Sequence, residues 1–442
     1  MPESYSNPTE KINILVIGGG GREHALVWKL SQSPVCGELM ITPGNGGTSQ
    51  RARSLHLSAL NFEGIAAACL AENVKLVVVG PEAPLDAGIA DYFADSPELQ
   101  HIAVIGPKKA GAKLESSKDF SKAFMLRHGI PTAAARSFGT ETIAEALRYV
   151  RQHTLPAVIK ADGLAAGKGV IIAQTTAEAE TAVQDMLGNN LFGEAGHTVV
   201  IEEFLTGIEM SLFVLTDGKD YVILPEAKDY KRIGAGDTGL NTGGMGAVSP
   251  LPFMDEALRA KIENQIVKPT ISGLQKDGIP FLGFLFIGLM ISGEEPFVIE
   301  YNVRLGDPET EAVLPRLEAD LPGLFMAAAH GRLSEFEIGE SAMYAATVVL
   351  SAAGYPGNYP LGDLVTGIAD AEAMPDTYVF HAGTRLTDDG QLLTAGGRVI
   401  VVTALRPDPR RAMKAAKKAA ESIKWKGRYF RHDIGNDVFG DN

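Results

Sequence analysis

Two lysines and three glycines stand together in Lys160-Ala161-Asp162-Gly163-Leu164-Ala165-Ala166-Gly167-Lys168-Gly169-Val170, directly after the apolar run Ala157-Val158-Ile159. Bare backbone amides beside paired cations are what the phosphates of a nucleoside triphosphate require. The spacing is not that of the common phosphate loop: Gly163 and Gly167 lie four apart, and Gly169 stands where a hydroxyl residue would hold a magnesium ion. Metal ligands must then come from elsewhere. The candidates are Glu300 and Asn302 in Pro296-Phe297-Val298-Ile299-Glu300-Tyr301-Asn302-Val303-Arg304. On a strand these two project from one face while Ile299, Tyr301 and Val303 fill the other. A carboxylate and an amide oxygen suit magnesium, which completes its shell with water and substrate phosphates. Arg304 shares their face and has the geometry to meet a phosphate bidentately. A polar strand end in solvent would read the same way, but the acid-dense turn Leu305 to Glu311 that follows favours a site.

These groups need a scaffold that brings them together. Ile12 to Ile17, Leu76 to Val79 and Ile102 to Ile105 are apolar runs that each end in glycine, with a helical pattern from Arg22 to Ser31 between the first two. Such repetition predicts an α/β fold that begins with a doubly wound parallel sheet, its ligand loops along one edge. Gly18 to Gly21 with Arg22 and Glu23 form a helix start preceded by bare amides, a ready anion site. Pro43-Gly44-Asn45 and Gly80-Pro81-Glu82 fall on the same edge. A dinucleotide fingerprint fails, because its third glycine would fall on Glu23 or His24. Lys118 to His128 reads as a helix ending at Gly129, and Pro131 to Glu203 as a compact module around the glycine loop. Leu205 to Leu333 supplies the sheet bearing Glu300, and a last module from Met343 carries strands Tyr344 to Leu350 and Arg398 to Thr403. The expected units are residues 1–117, 118–333 and a small α+β unit at 334–442.

Bulk properties narrow the function without choosing it. A chain of 442 residues exceeds one core and implies several domains. Forty Lys and Arg against 54 Asp and Glu give a net charge of −14 and no basic stripe, which argues against a nucleic-acid partner. The basic run at Lys414 to Lys418 recurs among alanines at helical spacing and reads as a solvated face. Cys36 and Cys69 cannot build a disulfide framework, as expected in a reducing compartment. Phe281 to Ile291 is too short to span a bilayer, and the polar first ten residues lack a signal-peptide core. The expected compartment is cytoplasmic, with no membrane partner. No serine or cysteine elbow with a histidine partner is evident, so a covalent enzyme intermediate is not required.

In their order, these segments resemble the phosphoribosylamine-glycine ligases of the ATP-grasp superfamily. The matching stretches include Val16 to Ala25, Pro43 to Asn45, Val79 to Leu85, Lys160 to Val170, Ile201 to Leu205, Asn241 to Gly246, Glu300 to Thr310 and His381 to Thr384, over about the whole chain. The resemblance implies an N-terminal substrate domain, a central ATP-grasp domain with a lid at about 131–203, and a C-terminal domain. It implies ligation of glycine to 5-phosphoribosylamine with ATP through a glycyl phosphate, the second step of purine assembly, with Mg2+ (or Mn2+) on Glu300 and Asn302. Lys160 and Arg304 would stabilise the transferring phosphoryl group. ATP contacts would come from Lys118, Lys160, Gly163, Gly167, Lys168 and Gly169, from Glu202, Glu203 and Leu205 at adenine, from Glu209 at the ribose, and from Leu289 beneath the purine. Other ATP-grasp enzymes carry a metal-binding acid near Leu289. The amine and glycine would meet Gly20, Gly21, Arg22, Glu23, Asn45, Glu82, Asn241, Gly243, Gly244, Arg385 and Arg398, with Lys231 and Arg232 nearby. A monomer or weak homodimer is expected. Two rivals share parts of this pattern: another ATP-grasp carboxylate-amine ligase, which only the first and last modules discriminate, and a non-catalytic nucleotide-binding protein, against which the intact Glu300, Asn302 and Arg304 argue.

Overall fold

A computed structural model describes residues 10–163, 169–189 and 196–440. Strands β1 (Ile12–Gly18), β2 (Cys36–Pro43), β3 (Arg53–Ser54), β4 (Val74–Val79) and β5 (Ala103–Ile105) pair in parallel in the order β3-β2-β1-β4-β5. Ile14 and Val16 enter one core cluster and Leu15 and Ile17 another. A strand buried on both faces has no polar side to show, which is why β1 reads as an unbroken apolar run. Helices α1 (Gly21–Leu30), α2 (Phe62–Ala71), α3 (Glu82–Ala87), α4 (Ile89–Asp95) and α5 (Lys109–Ser116) complete this unit. The strand order reverses between β1 and β4, so the crevice for a ligand opens between the Gly18 to Gly21 turn and the Gly80 to Glu82 turn. The doubly wound expectation holds.

Helix α6 (Lys118–Arg127) leads into β6 (Ala135–Gly139), α7 (Ile143–Gln152), β7 (Ala157–Ala161), β8 (Val170–Ala173), α8 (Thr176–Val183) and β9 (Thr198–Glu203). The four strands form an antiparallel sheet, β6-β9-β7-β8, over a core of its own that includes Phe138, Val150, Ile159 and Ile201. The chain continues through β10 (Ile208–Thr216), β11 (Tyr221–Asp229), the hairpin β12 (Arg232–Gly234) and β13 (Thr238–Asn241), β14 (Gly246–Ser249), α9 (Glu256–Ile262), α10 (Lys268–Lys276), β15 (Gly283–Ser292), β16 (Glu295–Asn302), α11 (Glu309–Arg316) and α12 (Leu321–Ala329).

The last module is not a separate sheet. Its strand Tyr344–Ser351 pairs with β14, Gly246 opposite Val348 and Ser249 opposite Ala345, and the strands Arg398–Arg406 and Thr377–His381 follow. One eight-stranded sheet therefore runs from β16 at one edge to Thr377–His381 at the other. The long helix Pro409–Ser422 buries Ala412, Met413, Ala416, Ala419 and Ala420 against this sheet, which leaves its lysines on the outer face. Among the described residues, no helix is long and apolar enough to cross a membrane.

Candidate active site

Strand β16 carries the centre of the site, and a bulge aims it. Glu300 stands opposite Gly288 on β15, but Val298 stands opposite Leu289, so Ile299 is the extra residue. Val298 and Tyr301 consequently both enter the core that includes Ile271 and Leu274 of α10, while Glu300 and Asn302 take the other face. Tyr301 is fixed there by a 2.7 Å hydrogen bond between its hydroxyl and Thr270 Oγ1. Ile299, expected on the apolar face, is only half-buried, and its carbonyl accepts from Lys160 Nζ at 3.4 Å. Leu289 is likewise corrected: it is fully buried beside Ile287 and Ile291 in the helix-side core, away from Glu300. The residue beside Glu300 on the site face is Gly288, where a Cβ would come within 3.2 Å of Glu300 Cγ. Ser211 and Ala227 continue that row across β10 and β11.

Cations from three directions converge on Glu300. Burial alone would push its carboxyl upward, yet Lys231, Lys160, Lys118 and Arg304 hold it below the usual carboxylate range. Lys160, on β7, is buried; its Nζ lies 2.8 Å from Glu202 Oε2 on β9. Glu202 also faces Lys122 Nζ at 3.3 Å, so one buried carboxylate serves two lysines. Burial lowers Lys122 to about 8 despite that partner. Lys118 Nζ donates to the Gly163 carbonyl at 2.9 Å, and burial lowers its pKa against the pull of Glu300. Asp162, just before the glycine loop, accepts from the backbone N–H groups of Lys118 and Asp119 at the start of α6 and from Ser117 Oγ. The root of the loop is thereby tied to a helix N-terminus, where a carboxylate is favoured. Lys231 is raised above its ordinary value by Asp229, against desolvation, with Glu209, Glu300 and Glu309 adding to the effect; its Nζ is 3.3 Å from Glu209 Oε2. Glu203 at the end of β9 and Glu209 on β10 are exposed, and Leu205 between them is half-buried. Gly163 and Gly169 flank the loop; Gly167 and Lys168 lie outside the described residues.

Arg304 joins this centre to the first sheet. Its Nη2 lies 2.8 Å from Glu115 Oε1 and 3.1 Å from Asn302 Oδ1, its Nη1 donates to the Leu305 carbonyl at 3.2 Å, and its Nε is 3.4 Å from Glu82 Oε2. Burial would raise Glu82, but Arg304 and then Arg22 keep it ionised below the usual range. The guanidinium expected to face a phosphate is thus held by two carboxylates of the first unit.

The glycine turn after β1 is built around buried side chains. Glu23 accepts from the Gly20 N–H at 2.6 Å and pairs with Arg22 Nε at 2.6 Å. Any side chain at Gly18, where φ is +130°, or at Gly80 would overlap it. Arg22 is buried too and donates from Nη1 to the Leu305 carbonyl at 3.0 Å. A side chain at Gly21 would overlap Glu311. Asn45 was expected to meet substrate, but its amide is taken by protein: Nδ2 donates to Gly19 and His381 carbonyls, and Oδ1 accepts from Gly47 and Thr48. Arg398 similarly clamps the loop between β13 and β14, donating from Nη1 to Gly243 O at 2.6 Å and Asp307 O at 2.7 Å while its Nη2 pairs with Asp307 Oδ1 at 3.0 Å. Gly243 N–H donates to Tyr355 Oη at 3.1 Å, and Gly244 adopts φ +114° against Pro308. Asn241 closes the hairpin opposite Arg232, whose Nη1 donates to Gly239 O. Arg385 is exposed on a short strand beside the Gly46 backbone.

Glu115, Asp162, Asp307 and Tyr355 were not singled out from sequence. Asp307 lies inside the acid-dense turn, and Asp162 inside the Lys160 to Val170 stretch just before its first glycine. Glu115 lies in a helix with no motif around it, and Tyr355 in a loop far along the chain.

Three family models match successive parts of the chain. The family model described as Phosphoribosylglycinamide synthetase, N domain, matches residues 12–115, the ATP-grasp (A) domain model matches 116–310, and the C domain model matches 345–437. The chain is 45% identical to the phosphoribosylamine-glycine ligase of Yersinia pestis over 96% of this chain and 98% of that one. It is 47% identical to that of Pasteurella multocida, covering 96% and 97%. The solved phosphoribosylamine-glycine ligase of Thermotoga maritima superposes with a TM-score of 0.82 at 32% identity, covering 96% of this chain and 100% of that one. A biotin carboxylase from Campylobacter jejuni shares the fold, with a TM-score of 0.67 at 16% identity over 96% of this chain and 94% of that one. With three successive domain models and these full-length relatives in agreement, the chain belongs to the phosphoribosylamine-glycine ligase family and has the ATP-grasp fold.

Proposed function

We propose that this protein joins glycine to 5-phosphoribosylamine at the expense of ATP, releasing ADP and phosphate. The observation that supports it best is the ionised Glu300 beneath Lys118, Lys160 and Lys231, linked through Arg304 to Glu82 in the crevice of the first sheet. The nucleotide lies between the four-stranded sheet and β16, with its base along Glu203 to Leu205 and its ribose toward Glu209. The ribosylamine lies over the Gly18 to Gly21 turn, near Glu82 and Arg385.

Magnesium or manganese suits Glu300 and Asn302. Among the described residues no group of three or more His, Cys, Asp or Glu gathers to enclose a metal. Two protein oxygens leave the remaining positions to phosphates and water, as magnesium prefers. When bound, the ion neutralises phosphate charge. Lys160 and Lys118 orient the γ-phosphate toward the glycine carboxylate, which attacks phosphorus and expels ADP, giving glycyl phosphate. The amine nitrogen of phosphoribosylamine then attacks the acyl carbon, phosphate leaves, and a proton is lost from nitrogen as the amide forms. Positioning and electrostatics carry such transfers. The sheet carrying Lys160 covers the acyl phosphate and keeps water away. The other members of the superfamily would use the same nucleotide half, and the Arg304 to Glu82 link is what favours a substrate in the first unit. The protein is further proposed to act in the cytoplasm as a monomer or weak homodimer. Following ADP release with ATP, magnesium, glycine and fresh phosphoribosylamine, each omitted in turn, tests the reaction; release that ignores the amine or glycine would refute it.

A further inference from the structure

Arg304 makes its shortest contact with a residue that has no place in the proposed chemistry. Glu115 sits in the last turn of α5, and its carboxylate spans the boundary between the first unit and β16: Oε1 takes Arg304 Nη2 at 2.8 Å, and Oε2 accepts the Val303 N–H at 2.8 Å. Two acceptors on one carboxylate thus fix both the side chain of Arg304 and the backbone directly after Asn302. The Glu115 side chain is nearly buried, and the removal of an isolated carboxylate from water is unfavourable unless it is paired. The contact to Glu82 is different in kind. It is longer, 3.4 Å, and leaves the buried Nε of Arg304 without a hydrogen-bond partner. A guanidinium anchored firmly at one nitrogen and loosely at another can turn its free donor toward a ligand while its anchor stays.

On the reaction proposed above, we infer that Glu115 is a positioning residue, which sets Arg304 at the junction of the ribosylamine crevice and the Glu300–Asn302 strand. Glu115 touches no substrate itself. Its removal acts through Arg304, so the two residues form one functional unit.

A double-mutant cycle tests this. Glu115→Gln retains an oxygen for the Val303 N–H but loses the ion pair. Turnover per folded molecule should fall roughly ten- to a hundredfold, the value of a hydrogen bond to a charged group, with the KM for glycine nearly unchanged. Glu115→Asp keeps the charge and should recover part of the loss. In an Arg304→Gln background, Glu115→Gln should have no further effect on turnover. Multiplicative losses, or loss in step with the thermal midpoint and no recovery by Glu115→Asp, would overturn the inference. The same cycle on magnesium-ADP affinity, read by calorimetry, separates the two claims: a wild-type protein that binds nucleotide but ligates nothing refutes the reaction, and additive effects on ADP binding refute the coupling of Glu115 to Arg304.

Discussion

Glu202→Gln removes the single acid between two buried lysines, and its cost can be worked through proton by proton. Lys160 and Lys122 lie 2.8 and 3.3 Å from its oxygens. Breaking a buried pair by deleting one partner costs about 3–5 kcal/mol, because the other charge stays behind. Lys122 limits the damage. Its pKa is already down to about 8 through burial, with Glu202 pulling upward, so in the mutant it sheds its proton below pH 8 and no longer adds an unpaired buried charge. Between pH 7 and 9 the wild type loses the Lys122 proton while the mutant has already lost it. A native state that binds fewer protons than the unfolded chain gains stability as pH rises, so the mutant gains first and the gap narrows by about 1.4 kcal/mol for each pH unit separating the two Lys122 pKa values. Native-state hydrogen exchange on β7 and β9, whose amides share one small sheet, reads this locally. Destabilisation of a few kcal/mol at pH 7 that shrinks by pH 9 is expected. A gap under about 0.5 kcal/mol at pH 7, or one that widens with pH, would refute the buried-charge reasoning.

Glu300→Gln keeps size but removes the anion that four cations face; turnover should fall by orders of magnitude with the fold intact by circular dichroism, and parent-like turnover at limiting magnesium would refute its role. Glu82→Ala should raise the KM for phosphoribosylamine roughly ten- to a hundredfold while ATP binding changes little; steady-state constants from one preparation decide, and equal weakening of both would count against the amine site. Exchange at the Gly163 and Gly169 amides should slow when a non-hydrolysable ATP analogue and magnesium are added, and unchanged rates at saturation would remove these glycines from the nucleotide site.

The parallel sheet was readable because burial on both faces writes apolar runs such as Ile12 to Ile17 into the chain, and turns that must approach a ligand write glycines after them. Glu300 and Asn302 were readable as an alternating polar pair on a strand. The same alternation misplaced Ile299, since a bulge inserts one residue and nothing local in Val298-Ile299-Glu300 announces it. Asn45, Arg22, Glu23 and Arg398 were legible as polar residues at glycine turns, but sequence does not tell whether such groups meet substrate or hold the turn; here their hydrogen bonds go largely to protein. Glu115 was invisible for a simpler reason. Its partners Val303 and Arg304 lie almost two hundred residues away, and a lone acid in a helix carries no pattern. The continuity of the eight-stranded sheet through β14 and Tyr344–Ser351 was hidden in the same way.

The most direct measurement is the product itself. Purified protein with ATP, magnesium, isotopically labelled glycine and freshly generated phosphoribosylamine should yield one labelled glycinamide ribonucleotide per ADP released, as followed by mass spectrometry. ADP formed without labelled amide, or label carried into an adduct of a different amine in preference to phosphoribosylamine, would contradict the assignment of the ribosylamine to the crevice beside Glu82.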